Sequence, residues 1–546
     1  MHYSTFECHI NTRQEDMETQ RVREMLEATT LVVSIVAAII IVRWGWKMVK
    51  WLWLNPKRLE RVLREQGLQA NPYKFWVGDL REMMKMHEEA RSMPMMSLSH
   101  DLSPRLFAFV LHVLHKYGKN SFLWFGPTPR LIVTSPEQIK EVLSKPYDYS
   151  KHNLNPLTKY VSPGIVKLEG EKWAKHRKII GLALNLDKLK TMTETFFQCC
   201  DDMARKWEKM LSSSNGKCEV DVCPSLMNLT QDVISRAAFG SSYEEGKQIF
   251  DLLTEQAELV ATHLQRYHIP FWRFVHAKDF RRIKEIDRMV EDFVKGIIKK
   301  KEKALKAGEA IKNHLLGMLL ESNHKEIESQ RKHNNAGLMS MKDVIDECKF
   351  FYFGGQATTS SLLAWTMMLL SRYTDWQTRA REEVLQVFGN QKPNFDGLNR
   401  LKIMTMILYE VLRLYPPATW LERSCEKDMK LGNILVPRGV NIFIPTLILQ
   451  QDQEIWGSDA KEFNPERFSE GISKAGKGDS VVYFPFGWGA RICIGQNFTL
   501  LEAKMAFSLI LQRFWFELSP SYSHAPLLRM TLQPQHGVHV ILHKLA

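Results

Sequence analysis

The sequence has no C-x-x-C pair, and its eight cysteines are scattered apart from the adjacent Cys199-Cys200. That absence argues against a zinc or iron–sulfur centre, and so few cysteines in 546 residues argue against a disulfide framework. Most of the chain therefore reads as belonging to a reducing compartment, where the sequons at Asn228 and Asn497 would carry no glycan. No glycine-rich nucleotide-binding motif occurs, which excludes a fused reductase. Zinc-finger spacing and aromatic-basic RNA-binding motifs are missing too, so nucleic acid is not the expected partner despite a formal net charge of +13. The run KKKEKALK, Lys299 to Lys306, reads as a solvated helix face. There is no internal repeat, and only one apolar run is long enough to suggest a membrane.

That run is Ala28 to Val42, ATTLVVSIVAAIIIV. Alone it is short for a span of about 20 residues. The following RWGWKMVKWLWL adds Trp44, Trp46, Trp51 and Trp53, which suit an interfacial belt, and Arg43, which can snorkel. The expectation is a single N-terminal transmembrane helix over 28–50, preceded by a short lumenal extension over 1–27 and followed by a basic linker over 51–70. Lys47, Lys50, Lys57, Arg58, Arg61 and Arg64 follow the apolar run, whereas acids outnumber bases before it. The positive-inside rule then places residues 71–546 in the cytosol. A cleaved signal peptide fits less well, because no small-residue cleavage site follows and tryptophans crowd the end of the run. Met25 offers an alternative start. Beyond the turn at Asn71-Pro72 the chain reads as one large domain, mainly α with small β-sheets, with strand-like segments near 120–134 and 430–447.

Near the C-terminus stands FPFGWGARICIGQNFTLLEAKMAFSLILQRF. Gly487 and Gly489 let the backbone turn tightly before a long amphipathic helix. Cys493 precedes that helix, where the positive helix end and backbone N–H groups favour a thiolate, a good iron ligand. A lone cysteine is ordinarily a buried structural residue. Here Phe486, Gly489, Arg491, Cys493 and Gly495 spell F-x-x-G-x-R-x-C-x-G, which resembles the haem-binding signature of the cytochrome P-450 superfamily.

Other stations follow in that family's order. Glu410 and Arg413 in YEVLRLYPP lie three apart on one helical face and resemble the E-x-x-R helix. With Arg467 in FNPERF they imply the charge network that braces the haem core, a network that is costly unless complete. Trp173 and Arg177 in EGEKWAKHRKI resemble the W-x-x-x-R pair that binds a haem propionate, a carboxylate that arginine can meet bidentately. Arg423 and Arg491 stand where the family supplies further propionate contacts. The resemblance covers 70–546 and is closest to the plant family numbered seventy-two, which includes secologanin synthase. HRKI, AREEVLQVFG, ICIGQNF and HAP are among the segments that carry it.

The segment FYFGGQATTS, Phe351 to Ser360, resembles the family's oxygen-activating helix but lacks its acid. Thr358 matches the threonine that donates a hydrogen bond to the oxygen that will react; Thr359 and Gln356 flank it. Ala357 stands where the family has Glu or Asp to relay protons, a role alanine cannot fill. Paired glycines such as Gly354-Gly355 cost about 1 kcal/mol each inside a helix, which suits a close approach to the backbone. Gln450 and Gln451 stand where relatives commonly have histidine, and glutamine can hydrogen-bond but cannot be charged.

The resemblance implies a membrane-anchored haem-thiolate monooxygenase of the endoplasmic reticulum. Its cofactor would be haem b with Cys493 as axial thiolate. Its electrons would come from NADPH through a separate NADPH-cytochrome P-450 reductase, and its substrate would be a terpenoid-type small molecule, hydroxylated or oxidatively cleaved. Leu157, Val161, Ile165, Ala357, Trp420 and Leu421 are the expected lining of the substrate pocket. The alternatives that Ala357 raises are a reductase-independent isomerase or dehydratase, and a weakly active haem protein.

Overall fold

The computed structural model describes residues 4–545 except 96–97, 152–154, 241–242, 270, 307–313, 318, 322–338 and 478–482. The chain divides into two compact units, Met1–Arg61 and Val62–Ala546. In the first, a helix runs unbroken over Ser4–Val49, so it has no boundary at residue 27 or 28. Every side chain from Met25 to Trp46 is exposed. Among the described residues this N-terminal helix, continuing through the turn Lys50–Leu54, is the one long and apolar enough to cross a membrane. Trp44 and Trp46 remain exposed at its polar end, where amphipathic rings suit a membrane–water interface.

The second unit is mainly α with small sheets, as expected from the sequence. Both strand-like segments form strands. Phe122–Phe125, Thr128–Ile132, Asn441–Ile444, Leu421–Cys425 and Tyr149–Ser150 lie side by side in that order in one sheet. The pairing between Thr128–Ile132 and Asn441–Ile444 is parallel, which brings chain segments about 300 residues apart into register. A three-stranded sheet joins Lys217–Asp221, His539–Lys544 and Phe514–Leu518.

The helix Met341–Arg372 crosses this unit. Its start is set by a capping box: the Ser340 hydroxyl accepts from Asp343 N–H at 3.1 Å, and the Asp343 carboxylate accepts from Ser340 N–H at 3.0 Å. From Ser361 to Ser371 every residue is buried, the mark of a helix surrounded by core. The two glycines in it differ in purpose. A Cβ on Gly355 would stand 2.7 Å from Ile234 Cδ1 on the neighbouring helix Cys223–Phe239, so only glycine permits that approach. At Gly354 a Cβ would meet only the ring of Phe350, at 3.2 Å.

Candidate functional site

The cysteine loop is built by its glycines and by one backbone hydrogen bond. Gly489 has φ +69°, and a Cβ there would stand 2.5 Å from the Leu143 carbonyl oxygen. Cys493 N–H donates to the Phe486 carbonyl at 2.8 Å and closes the loop. The helix Gln496–Arg513 follows with Gly495 as its cap. A Cβ on Gly495 would lie 4.0 Å from Cys493 Sγ, so glycine keeps the flank of the sulfur open. Cys493 is accessible to a water-sized probe, yet burial is the strongest influence on its thiol and pushes its pKa up. The expected thiolate is supported only in part: Gly495 N–H, Arg177 and Lys151 favour it, but burial outweighs them. A bound metal ion would reverse that order, since a coordinating thiol is deprotonated outright.

Around this loop lies a cradle of cations, with Arg423 and Arg491 buried and Arg177 half-buried. The Arg491 guanidinium stacks over the ring of Trp173 at 4.4 Å, pairs with Glu169 and donates to the Leu168 carbonyl at 2.9 Å. Its Nε is buried with no partner among the described residues. Arg177 donates to the Ile492 carbonyl at 2.5 Å, one residue before the cysteine. Arg423 is 4% exposed and, among the described residues, donates to the carbonyl of its own neighbour, Glu422, at 2.8 Å. Burial, followed by the like charge of Arg491, lowers its pKa to about 10.

Lys151 joins them, although no sequence motif announced it. Burial first, then Arg423 and Arg491, pushes its pKa down to about 7. Three cations, Lys151, Arg423 and Arg491, share one carboxylate, Glu169, and Arg177 adds a fourth positive charge beside Cys493. An uncompensated buried charge is costly. A group with two carboxylates beside the cysteine would offset most of that excess, and the buried Arg491 Nε offers it a donor. The residues present therefore fit haem, with its two propionates and its iron.

The charge network stands behind the cradle. Arg413 meets Glu410 through two parallel hydrogen bonds of 2.7 Å, and both side chains are fully buried. The remaining N–H groups of Arg413 reach the carbonyls of Gln450 (2.7 Å), Ala460 (2.5 Å) and Glu462 (3.1 Å). Arg467 approaches Glu410 at 3.5 Å but binds Asp459 more closely, at 2.6 Å. From one nitrogen, Gln450 donates to the carbonyls of Leu412 and Arg413, each at 2.9 Å, which a single imidazole N–H cannot do, while Gln451 donates to the His100 carbonyl and accepts from Ser103.

On the long helix, the Thr358 hydroxyl donates to the Gly354 carbonyl at 2.7 Å, and both residues are part-exposed. Thr359 is fully buried and its hydroxyl pairs with that of Thr499 at 3.3 Å. Gln356 is also buried and lies about 200° around the helix from Thr358, so the two do not share a face. Ala357 is buried.

A cavity of about 1040 Å³ is lined by Trp420 and Leu421 with Phe107, Val110, Lys151 and Arg423. It reaches the cradle through Lys151 and Arg423; Ala357, Thr358 and Cys493 do not line it. Leu157, Val161 and Ile165 do not line it either. All three are packed in core clusters, and the cavity is lined instead by Thr158, Ser162 and Val166. The expectation chose the apolar members of this segment, and those are the ones the core claims; the next residue along turns outward to the cavity.

A family model described as Cytochrome P450 matches residues 91–541. Cytochrome P450 72A68 of Medicago truncatula is 54% identical over 502 residues, covering 92% of this chain and 96% of that relative. The 11-oxo-beta-amyrin 30-oxidase of Glycyrrhiza uralensis is 55% identical over 521 residues, covering 95% of this chain and 98% of that enzyme. A protein of the same description from Medicago truncatula is 53% identical over 521 residues, with 95% and 98% covered.

Proposed function

The chain belongs to the cytochrome P450 family, and from that premise we propose that it is a membrane-anchored monooxygenase oxidising a terpenoid, with NADPH-derived electrons delivered by a separate reductase. The family is one of haem-dependent oxidoreductases with a cysteine thiolate on the iron. The observation that carries the reading for this chain is the set of four cations, two buried and two half-buried, around an exposed cysteine, with Glu169 as the carboxylate among them. Two relatives are described as oxidising 11-oxo-beta-amyrin, which supports a triterpenoid substrate here. The N-terminal helix supports an anchor, and the basic residues after it favour a cytosolic catalytic unit on the endoplasmic reticulum.

When bound, the haem supplies reductive activation of O2, with thiolate ligation favouring O–O cleavage. Cys493 would ligate the iron. Lys151, Arg177, Arg423 and Arg491 would hold and neutralise the propionates, with Trp173 as an uncharged indole donor beside them, while Phe486, Gly489 and Gly495 shape the loop. Glu410, Arg413 and Arg467 brace it from behind. Thr358 holds the transferable proton on its hydroxyl, and rotation away from the Gly354 carbonyl would turn that proton into the site. Thr359 fixes the helix against Thr499. Gln356 supports the helix from its buried side. Trp420 and Leu421 exclude water from the cavity.

The test is a reconstitution of the haem-loaded protein with a plant reductase, NADPH and a panel of iridoid, triterpenoid and gibberellin substrates. Oxidised product that requires both reductase and NADPH is expected. Ala357 is the one observation favouring the second reading: turnover of a hydroperoxide without reductase would make the protein an isomerase or dehydratase. The same residue yields a sharper expectation. With no acid at 357, protons arrive through Thr358 and water alone, and a positioned acid–base group is typically worth about 10²–10⁴ in rate. Ala357→Glu is expected to raise the share of NADPH recovered as product, and Ala357→Gln, similar in size but unable to carry the proton, is not. Equal coupling in all three proteins would mean that position 357 plays no part in proton delivery.

A further inference from the structure

Among the described residues, one group of metal-ligating side chains outside the cysteine site converges closely enough to hold an ion: His263, His276 and Asp279. His263 lies in the last turn of the helix Tyr243–Leu264. Asp279 lies in the first turn of the helix Ala277–Lys306, and His276 immediately precedes that helix. One oxygen of Asp279 is approached by both rings, by His263 Nε2 at 3.1 Å and by His276 Nδ1 at 3.5 Å. A tetrahedral zinc ion at about 2.0–2.1 Å from each ligand holds its ligand atoms about 3.3–3.4 Å apart. The two observed separations bracket that value. All three ligand atoms lie within 4.8 Å of one another, so the last edge closes by a small movement of half-buried His276.

Two imidazoles and a carboxylate are the donor set of a zinc-type cation; calcium and magnesium take oxygen ligands. Burial is the largest influence on His263 and lowers its pKa despite Asp279, so its ring is neutral, as a metal ligand requires. One contact opposes the ion. Trp272 Nε1–H donates to His263 Nδ1 at 2.9 Å, so the single proton of neutral His263 sits on Nε2 and points at Asp279. Coordination through Nε2 moves that proton to Nδ1, with no net release, and turns the indole N–H away. Metal and indole therefore compete for one imidazole, which binding at a scattered surface histidine would not show. Arg266, 5.3 Å over the same indole ring, adds a like charge. That charge penalises every cation equally, so the ion that gains most from nitrogen ligands is the one favoured.

We propose that His263 Nε2, His276 Nδ1 and a carboxylate oxygen of Asp279 form a site for zinc or a similar borderline-soft divalent cation, with water completing the tetrahedron. The ion ties the end of one helix to the start of the next. Ala261, Thr262 and Leu264, in the same turn as His263, line the large cavity, so an occupied site braces one wall of it. The site contains no cysteine, and the absence of a C-x-x-C pair does not bear on it. It is also independent of the oxidase reading, since none of its three ligands belongs to the cysteine loop or the cradle.

The experiment is a calorimetric titration of the haem-loaded, full-length protein, free of any histidine tag, with zinc chloride. It is repeated on His276→Ala, Asp279→Asn and Trp272→Phe. One zinc per chain is expected in the parent. His276→Ala and Asp279→Asn change half-buried positions and should fold, but each should bind zinc at least about tenfold more weakly. Trp272→Phe keeps an aromatic ring and removes the competing donor, so it should bind zinc about two- to tenfold more tightly, the worth of one ordinary hydrogen bond. Zinc should raise the unfolding midpoint of the parent and leave that of His276→Ala where it was. Magnesium and calcium in large excess should not displace it. The inference is overturned by no zinc binding, by equal affinity or equal stabilisation in parent and ligand variants, or by displacement with magnesium or calcium. An affinity in Trp272→Phe equal to or weaker than the parent's removes His263 Nε2 as a ligand and overturns it too.

Discussion

Arg413→Ala is expected to abolish stable haem loading and to lower stability by about 3–5 kcal/mol, the usual cost of breaking a buried ion pair by removing one partner. The geometry makes the upper end of that range the better expectation. Glu410 is fully buried and would keep only the Asn464 N–H at 2.9 Å and the more distant Arg467. The carbonyls of Ala460 and Glu462 would lose the donor that ties them to the helix Lys402–Leu414. Against a typical total of about 5–15 kcal/mol, such a loss leaves little margin. Arg413→Lys should fall between parent and alanine. One ammonium can neutralise Glu410, but it cannot form the bidentate pair and also reach three carbonyls. Haem absorbance per mole of protein and the denaturation midpoint decide the matter. An alanine variant that loads haem normally and unfolds within about 1 kcal/mol of the parent would remove the network from its bracing role.

The network was legible because its members sit in short contiguous motifs. E-x-x-R puts Glu410 and Arg413 on one helical face whatever surrounds them, and the cysteine loop and W-x-x-x-R pair are equally local. The fold class was legible for a related reason: periodicity and strand-like segments are local signals, and both strand segments formed strands. What stayed hidden was assembled from distant segments. Lys151 gains its meaning from Glu169, Arg423 and Arg491, up to 340 residues along the chain, and nothing in SKHN marks it. The cavity is likewise lined from separate segments, with Phe107, Thr158, Trp420 and Phe443 among them. Leu157, Val161 and Ile165 show a second difficulty: apolar character suits a pocket lining and a core equally, and these three are packed in core clusters. Adjacent Gly354 and Gly355 look equivalent in sequence; only the approach of Ile234 separates them.

Cys493→Ala should leave a folded protein with no thiolate-type band in the reduced-CO difference spectrum and no NADPH-dependent product, a loss of at least about 10³-fold in turnover. The fold should survive because the loop does not depend on the sulfur. Its closure comes from Cys493 N–H to Phe486 O, which alanine retains, and the side chain is exposed. The apoproteins of parent and variant are therefore expected to unfold within about 0.5 kcal/mol of each other. No other described cysteine can take over the ligand role. Cys199, Cys200 and Cys348 are buried in the core with thiol pKa values raised by burial, a setting that disfavours the thiolate. Cys425 is the most instructive rival, since it shares a strand with Arg423. Burial pushes its thiol up to about 12, and no cation opposes that shift, whereas Arg177 and Lys151 both do so at Cys493. A thiolate-type band that persists in Cys493→Ala would place the iron elsewhere, and the four-cation cradle would then need another anion to explain it.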